Sequence, residues 1–274
     1  VRISLSKVME NDELFGIYGK DYYTSIRFGL FAAEDITAAD GTVIPADGMI
    51  SEVSLDENMT AKFDVQIPFG RYYVQEIATD EHYVLSGEKY LVNFEYMGQD
   101  IQTVDIDCGQ FVNLLKRGRI EGHKVDDKSE PLENAVFGLF TADCVKFSRD
   151  TAIMTAASDE NGCFEFTDVP FGKYIVREIE SPSGYILSDK EYAVSISEDG
   201  EVIEITAENK PVTVEISKRD VYGNELKGAK MQIIDSEGNI VDEWTSDGTD
   251  HIVTKIPVGN YTLKEIAAPD GYVI

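Results

Sequence analysis

The sequence is poor in the residues from which metal and redox sites are built. It has three cysteines (Cys108, Cys144, Cys163) and three histidines (His82, His123, His251). No two cysteines stand in a Cys-x-x-Cys spacing, so a zinc or thioredoxin-like reading has no support. An odd cysteine number also argues against disulfides as the main staple. Basic residues are scarce, 24 Lys and Arg against 51 Asp and Glu, for a formal net charge of −27. Such a surface repels phosphate backbones and anionic lipid, which disfavours nucleic-acid and membrane-surface roles. No apolar run reaches transmembrane length, so no membrane insertion is expected in this segment. Neither a signal peptide nor a sorting tail is visible, which leaves an intracellular protein or an excised piece of a longer exported one. Helical periodicity, a Gly-rich phosphate loop, a Gly-x-Ser-x-Gly elbow and a Cys/His catalytic signature are all missing. Acidic turns such as Asp159-Glu160-Asn161-Gly162 lack the ligand periodicity of a calcium loop. No cofactor and no metal are expected.

What is present is a repeat. The run Ile67-Pro68-Phe69-Gly70-Arg71-Tyr72-Tyr73-Val74-Gln75-Glu76-Ile77 recurs as Val169-Pro170-Phe171-Gly172-Lys173-Tyr174-Ile175-Val176-Arg177-Glu178-Ile179. It recurs again as Ile256-Pro257-Val258-Gly259-Asn260-Tyr261-Thr262-Leu263-Lys264-Glu265-Ile266. Pro and Gly punctuate a turn, and a strand of period two follows. Alternation puts Tyr72, Val74 and Glu76 on one face, with Tyr174, Val176 and Glu178, and Tyr261, Leu263 and Glu265, matching them. The tyrosines read as core residues with a hydrogen-bonded hydroxyl. A carboxylate on an apolar face is costly unless something there needs it.

Each repeat opens on an alternating strand that ends in lysine: Ile3 to Lys7, Ile120 to Lys124 and Val212 to Lys218. The lysine again falls on the apolar side. In the second repeat the closing strand places Ile203, Ile205, Ala207 and Asn209 on one face. The first repeat ends on Phe111-Val112-Asn113, and matching Asn113 to Asn209 requires about three inserted residues after Ile106. The third repeat stops at Ile274 before its closing strands, so it is expected to fray unless those strands come from a longer chain. Short strands with dense turn signals indicate an all-β protein of tandem antiparallel β-sandwich domains, two complete and one incomplete. The expected bounds are 1–115, 116–210 and 211–274, with short linkers that favour a stiff rod.

A lysine, a glutamate and an asparagine on inward faces suggest a specific chemistry. Burial lowers a lysine pKa, and a neutral amine is a nucleophile. Burial raises a glutamate pKa, and a protonated carboxyl can polarise an amide and relay a proton. The lysine amine would attack the asparagine carboxamide, ammonia would leave, and an isopeptide bond would join first strand to last. The competing reading is an exposed lysine that snorkels and guards a sheet edge.

These residues resemble the Cna B-type repeat of Gram-positive surface adhesins and pilins. The matching features are Lys124-Val125-Asp126, Lys218-Arg219-Asp220, Leu226-x-Gly228-Ala229, Pro170-Phe171-Gly172-x-Tyr174-x-x-x-Glu178 and Ala268-Pro269-x-Gly271-Tyr272. The first repeat departs from this pattern, with Lys7-Val8-Met9 in place of Lys-x-Asp and a longer insertion. The resemblance implies a transthyretin-like sandwich, display on the extracellular cell wall, and Lys–Asn bonds assisted by Glu. By position the cross-link residues are Lys7 and Asn113, Lys124 and Asn209, and an unpartnered Lys218, with Glu76, Glu178 and Glu265 in the assisting role. Neighbouring domains of a longer surface protein are the expected partners. A second expectation is an adhesin module that contacts a host matrix protein or glycan through the 32–60 insertion and Tyr18, Tyr22 and Tyr23. A turnover enzyme is the reading with least support.

Overall fold

A computed structural model describes residues 1–274, and strands dominate it. The first repeat comprises β1 (Arg2–Met9), β2 (Arg27–Ala32), β3 (Ile36–Thr37), β4 (Val43–Ile44), β5 (Met49–Ser54), β6 (Thr60–Asp64), β7 (Gly70–Ala78), β8 (Lys89–Phe94) and β9 (Asp105–Asn113). A three-stranded sheet in the order β6-β1-β9 faces a four-stranded sheet in the order β5-β2-β7-β8, and the β3-β4 ribbon lies in the insertion. The second repeat comprises β10 (Arg117–Asp126), β11 (Val136–Thr141), β12 (Met154–Ala157), β13 (Cys163–Pro170), β14 (Gly172–Glu180), β15 (Glu191–Ile196) and β16 (Val202–Asn209). Its sheets run β13-β10-β16 and β12-β11-β14-β15, the same plan. The third repeat has β17 (Thr213–Ile216), β18 (Lys227–Ile234), β19 (Ile240–Asp247), β20 (His251–Thr254) and β21 (Thr262–Ala267), arranged as β17-β20 and β19-β18-β21. Each of its sheets is one strand short of the plan, so the expected two complete sandwiches and one incomplete one are observed.

The alternation read from the sequence is the burial pattern of the strands. In β1, Ile3, Leu5, Lys7 and Met9 are buried while the residues between them face outward. In β7, Tyr72, Val74 and Glu76 are buried together, and Tyr174, Val176 and Glu178 repeat this in β14. In β21 the same face is open, with Leu263 half exposed. Tyr72 donates its hydroxyl to the Pro68 carbonyl at 2.6 Å, and Tyr261 does the same to Pro257 at 2.7 Å, which ties each Pro-x-Gly turn to its strand. Stacked Phe137 and Phe164 fill the second core, with ring centroids 3.8 Å apart. They leave no room at Gly122, where a Cβ would stand 2.1 Å from the Phe164 ring.

Three features differ from expectation. β1 and β9 pair in parallel, so the opening and closing strands of the first repeat run side by side in one direction. The insertion in β9 is a bulge: Ser4 lies opposite Asp107 while Ser6 lies opposite Gln110, with Gly109 at φ +72°. One extra residue exchanges the faces of a strand. Cys108 is buried before the bulge, and Phe111 and Asn113 are buried after it. The third difference is a 3-10 helix (Gly19–Ser25) within the loop that follows β1.

By density of contact the chain forms two compact units, residues 1–119 with 167–173 and 195–203, and residues 120–166 with 174–194 and 204–274. Within the first unit, Arg117 bonds Glu10 at 2.8 Å and Asp12 at 2.9 Å, and Phe171 packs edge-on against His82. Within the second, Lys255 lies 3.6 Å from the buried Asp126 carboxylate and over the Tyr185 ring.

Candidate functional site

The first repeat brings Lys7, Glu76 and Asn113 together in its core. β1 supplies the amine, β7 the carboxyl from the facing sheet, and β9, through its bulge, the carboxamide. The Lys7 and Glu76 side chains are fully buried, with Nζ 2.9 Å from Glu76 Oε1. Nζ also donates to Asn113 Oδ1 at 2.6 Å. Asn113 Nδ2 donates to both Glu76 oxygens at 2.9 Å and to Thr79 Oγ1 at 2.8 Å. Oε1 therefore lies 2.9 Å from both the Lys7 amine and the Asn113 amide nitrogen. Burial pulls the Lys7 pKa down, against the opposing hydrogen bond and charge of Glu76. The Phe28 ring closes one side, 5.6 Å from Nζ.

The second repeat holds Lys124, Glu178 and Asn209 in the same strand positions, all buried. Asn209 Nδ2 donates to Glu178 Oε1 at 2.9 Å. Lys124 Nζ lies 3.9 Å from Oε1 and donates instead to the carbonyls of Ala207 at 3.3 Å and Val125 at 3.4 Å. Asn209 Oδ1 is buried without a partner. Burial lowers the Lys124 pKa, opposed by the Glu178 charge. Burial also raises the Glu178 pKa, opposed by the Ser188 N–H, Lys124 and Asn209.

The third repeat pairs Lys218 Nζ with Glu265 at 3.2 Å, and both side chains are partly exposed. This is the two-residue remnant expected of a repeat without its closing strand.

Sequence reasoning missed a backbone donor. The loop after β7 returns to place the Ser86 N–H on Glu76 Oε2 at 2.9 Å, and the Ser188 N–H does the same for Glu178 at 2.9 Å. A signal existed in Tyr83-Val84-Leu85-Ser86 and Tyr185-Ile186-Leu187-Ser188, which follow each glutamate at one spacing. Thr79 was also missed, since a lone threonine after a strand carries no pattern.

The other singled-out residues lie apart from these clusters. His82 pairs with Asp80 at 2.6 Å, His251 with Asp242 at 2.7 Å, and His123 lies 3.7 Å from Cys163. The three thiols are unpaired, and burial raises that of Cys108 to about 11. Tyr22 packs against His82 and Tyr83, and Tyr23 against the first core, while Tyr18 stays exposed.

A model of the SpaA prealbumin-like fold domain matches residues 118–211 and again residues 212–274. The chain belongs to this family. Prealbumin-like and transthyretin-like name one sandwich, so the fold expectation holds, and the family is structural and non-enzymatic. The trypsin-resistant surface T6 protein of Streptococcus pyogenes serotype M6 is 29% identical over 133 residues, which are 46% of this chain and 24% of that protein. Among solved structures, the Bacillus anthracis TIE protein matches with a TM-score of 0.60 at 24% identity, over 100% of this chain and 46% of that one. A streptococcal ancillary pilin matches with a TM-score of 0.36 at 20% identity, over 100% of this chain and 92% of that one. The chain thus spans less than half the length of the T6 and TIE proteins.

Proposed function

We propose that this chain is a stalk segment of a Gram-positive cell-wall surface or pilus-type protein, stiffened by isopeptide bonds that its own side chains form. The domains are 1–115, 116–210 and 211–274, and the bonds join Lys7 to Asn113 and Lys124 to Asn209. The observation that carries this reading is the buried first triad, with an amine 2.6 Å from a carboxamide oxygen and one carboxyl oxygen 2.9 Å from both nitrogens. Transfer of a proton from Nζ to Glu76 leaves a neutral amine in a fully buried site, where neutral forms are favoured. Nζ then attacks Cγ, the protonated carboxyl hands its proton to Nδ2, and the resulting carboxylate takes the second proton that Nζ must lose to become an amide nitrogen. The Nζ–Cγ bond forms, the Cγ–Nδ2 bond breaks, and ammonia leaves. Glu178 serves the second repeat in the same role. Each site acts once on itself.

The topology gives the bond a mechanical use. β1 and β9 run parallel, with Lys7 and Asn113 near the same ends. A pull entering at Val1 would follow β1 to Lys7, cross to Asn113 and leave, bypassing the chain between them. Membership of a structural surface-domain family and the surface T6 protein among its relatives support extracellular display beside neighbouring domains. The tyrosines that motivated an adhesin reading are mostly spent on packing, so the stalk is preferred. Intact mass tests the proposal: the purified chain should be lighter than its sequence by two ammonia molecules, with fragments that link Lys7 to Asn113 and Lys124 to Asn209. An unshifted mass would end it.

A further inference from the structure

We propose that Thr79 orients the first carboxamide for reaction, and that the residue at this position sets how readily each repeat cross-links. This rests on the isopeptide reading above. A primary carboxamide has two N–H groups and can turn end for end about its Cβ–Cγ bond. In the first repeat both N–H groups are held, by Glu76 at 2.9 Å and Thr79 Oγ1 at 2.8 Å. Oδ1 must then face Lys7 Nζ, which presents Cγ to the amine and aims the leaving nitrogen at the carboxyl that protonates it. The turned amide would set N–H against a donor-only ammonium and oxygen against a carboxylate.

The corresponding residue of the second repeat is Ser181, and that of the third is Ala268. The Ser181 hydroxyl turns away and donates to the Tyr185 carbonyl at 3.1 Å. There the Asn209 amide is held at Nδ2 by Glu178, its oxygen has no partner, and Lys124 bonds backbone carbonyls instead. Ala268 offers no hydroxyl at all. The three residues thus form a graded series at one position, and the amide geometry of the two complete repeats follows it. In the reaction Thr79 neither gains nor loses a proton; Nζ gives up two, of which one leaves with Nδ2 as ammonia and one stays on Glu76.

The experiment follows intact mass during cell-free synthesis of the full chain, with fragments that assign each loss of ammonia to its repeat. Thr79→Val keeps the shape and removes the acceptor, so closure of the first repeat should slow about tenfold, the worth of one hydrogen bond in the transition state. Thr79→Ser keeps the acceptor and should fall between the parent and Thr79→Val, and the second repeat, unchanged in all variants, reports that synthesis and folding proceeded. If Thr79→Val disrupts the first sandwich, the comparison passes to Thr79→Ser against Thr79→Ala, with the alanine variant slow. Equal first-repeat rates in parent and Thr79→Val, or in the serine and alanine pair, overturn the orienting role while the bond itself stands. A parent chain that loses no ammonia in either repeat overturns the isopeptide reading and this inference with it.

Discussion

The first and second sandwiches place the same three residue types on the same three strands, yet the groups meet differently. Lys7 bonds the carboxamide oxygen and the carboxyl together. Lys124 stands 3.9 Å from its carboxyl and leans on backbone carbonyls. Bringing an amine, an acid and an amide into a buried core therefore does not by itself fix how they meet. The hydrogen bonds left over after burial decide which atom faces which. The repeat that departs from the Lys-x-Asp pattern has the tighter triad, because the bulge in β9 and Thr79 both act on Asn113.

The largest break in the comparison comes from the acids. Glu76→Ala and Glu178→Ala should each abolish the bond of its own repeat and leave the other intact, restoring the mass of one ammonia. Each proposed bond would close a loop of nearly a whole domain, so by the chain-entropy estimate for cross-links its loss should remove about 4–5 kcal/mol. A truncated acid also strands the buried lysine, which adds to the cost. Calorimetry should show one transition moved down by roughly 20 °C or more and one held in place.

Next in size is deletion of Gly109. The bulge supplies the one residue that returns Phe111 and Asn113 to the core face. Without it Asn113 points to solvent and Lys7 keeps only Glu76. The first bond should vanish from the fragment map while the second remains. An unchanged map would show that register slippage elsewhere can replace the bulge.

Gly122→Ala probes the second sandwich alone and should act less strongly. The added methyl would overlap the Phe164 ring stacked on Phe137. Overpacking of this kind costs about 1–3 kcal/mol. The second thermal transition should fall by several degrees with the first unmoved, and differential scanning calorimetry separates the two.

Much of this architecture could be read in the sequence because it rests on alternation. Tyr72, Val74 and Glu76 declare their face by period two, as do Ile203, Ile205, Ala207 and Asn209. The repeated Pro-x-Gly turn fixes where each such strand starts. What could not be read was relational. The direction of β9 beside β1 leaves no trace in either strand's own periodicity. The bulge appeared only as an alignment insertion, because a single left-handed Gly109 looks like any other glycine. The Ser86 and Ser188 N–H groups act through backbone, so the repeated Tyr-x-Leu-Ser run marked the loop without revealing what it donates to. Tyr22 and Tyr23 looked like a recognition surface because aromatic residues in a loop read alike whether they bind a partner or pack.

The smallest expected effect is a pH dependence that separates a bonded second repeat from an unbonded one. Asn209→Ala removes the carboxamide and leaves Lys124 and Glu178 as free titrating groups. Burial raises Glu178 above its ordinary 4.5, so the folded state holds a proton that the unfolded state has released, and stability falls as pH rises from 4.5 through the raised value. Burial lowers Lys124 below its ordinary 10.5, so the unfolded state binds the extra proton, and stability rises with pH from the lowered value up to 10.5. The variant should therefore be least stable between these windows and recover on both sides. In a parent cross-linked as proposed, the lysine nitrogen is an amide and does not titrate, so only the acid-side limb should survive. Denaturant midpoints of the second transition across pH 4 to 11 would show the difference. An alkaline limb of equal size in parent and variant would mean that Lys124 still carries a free amine.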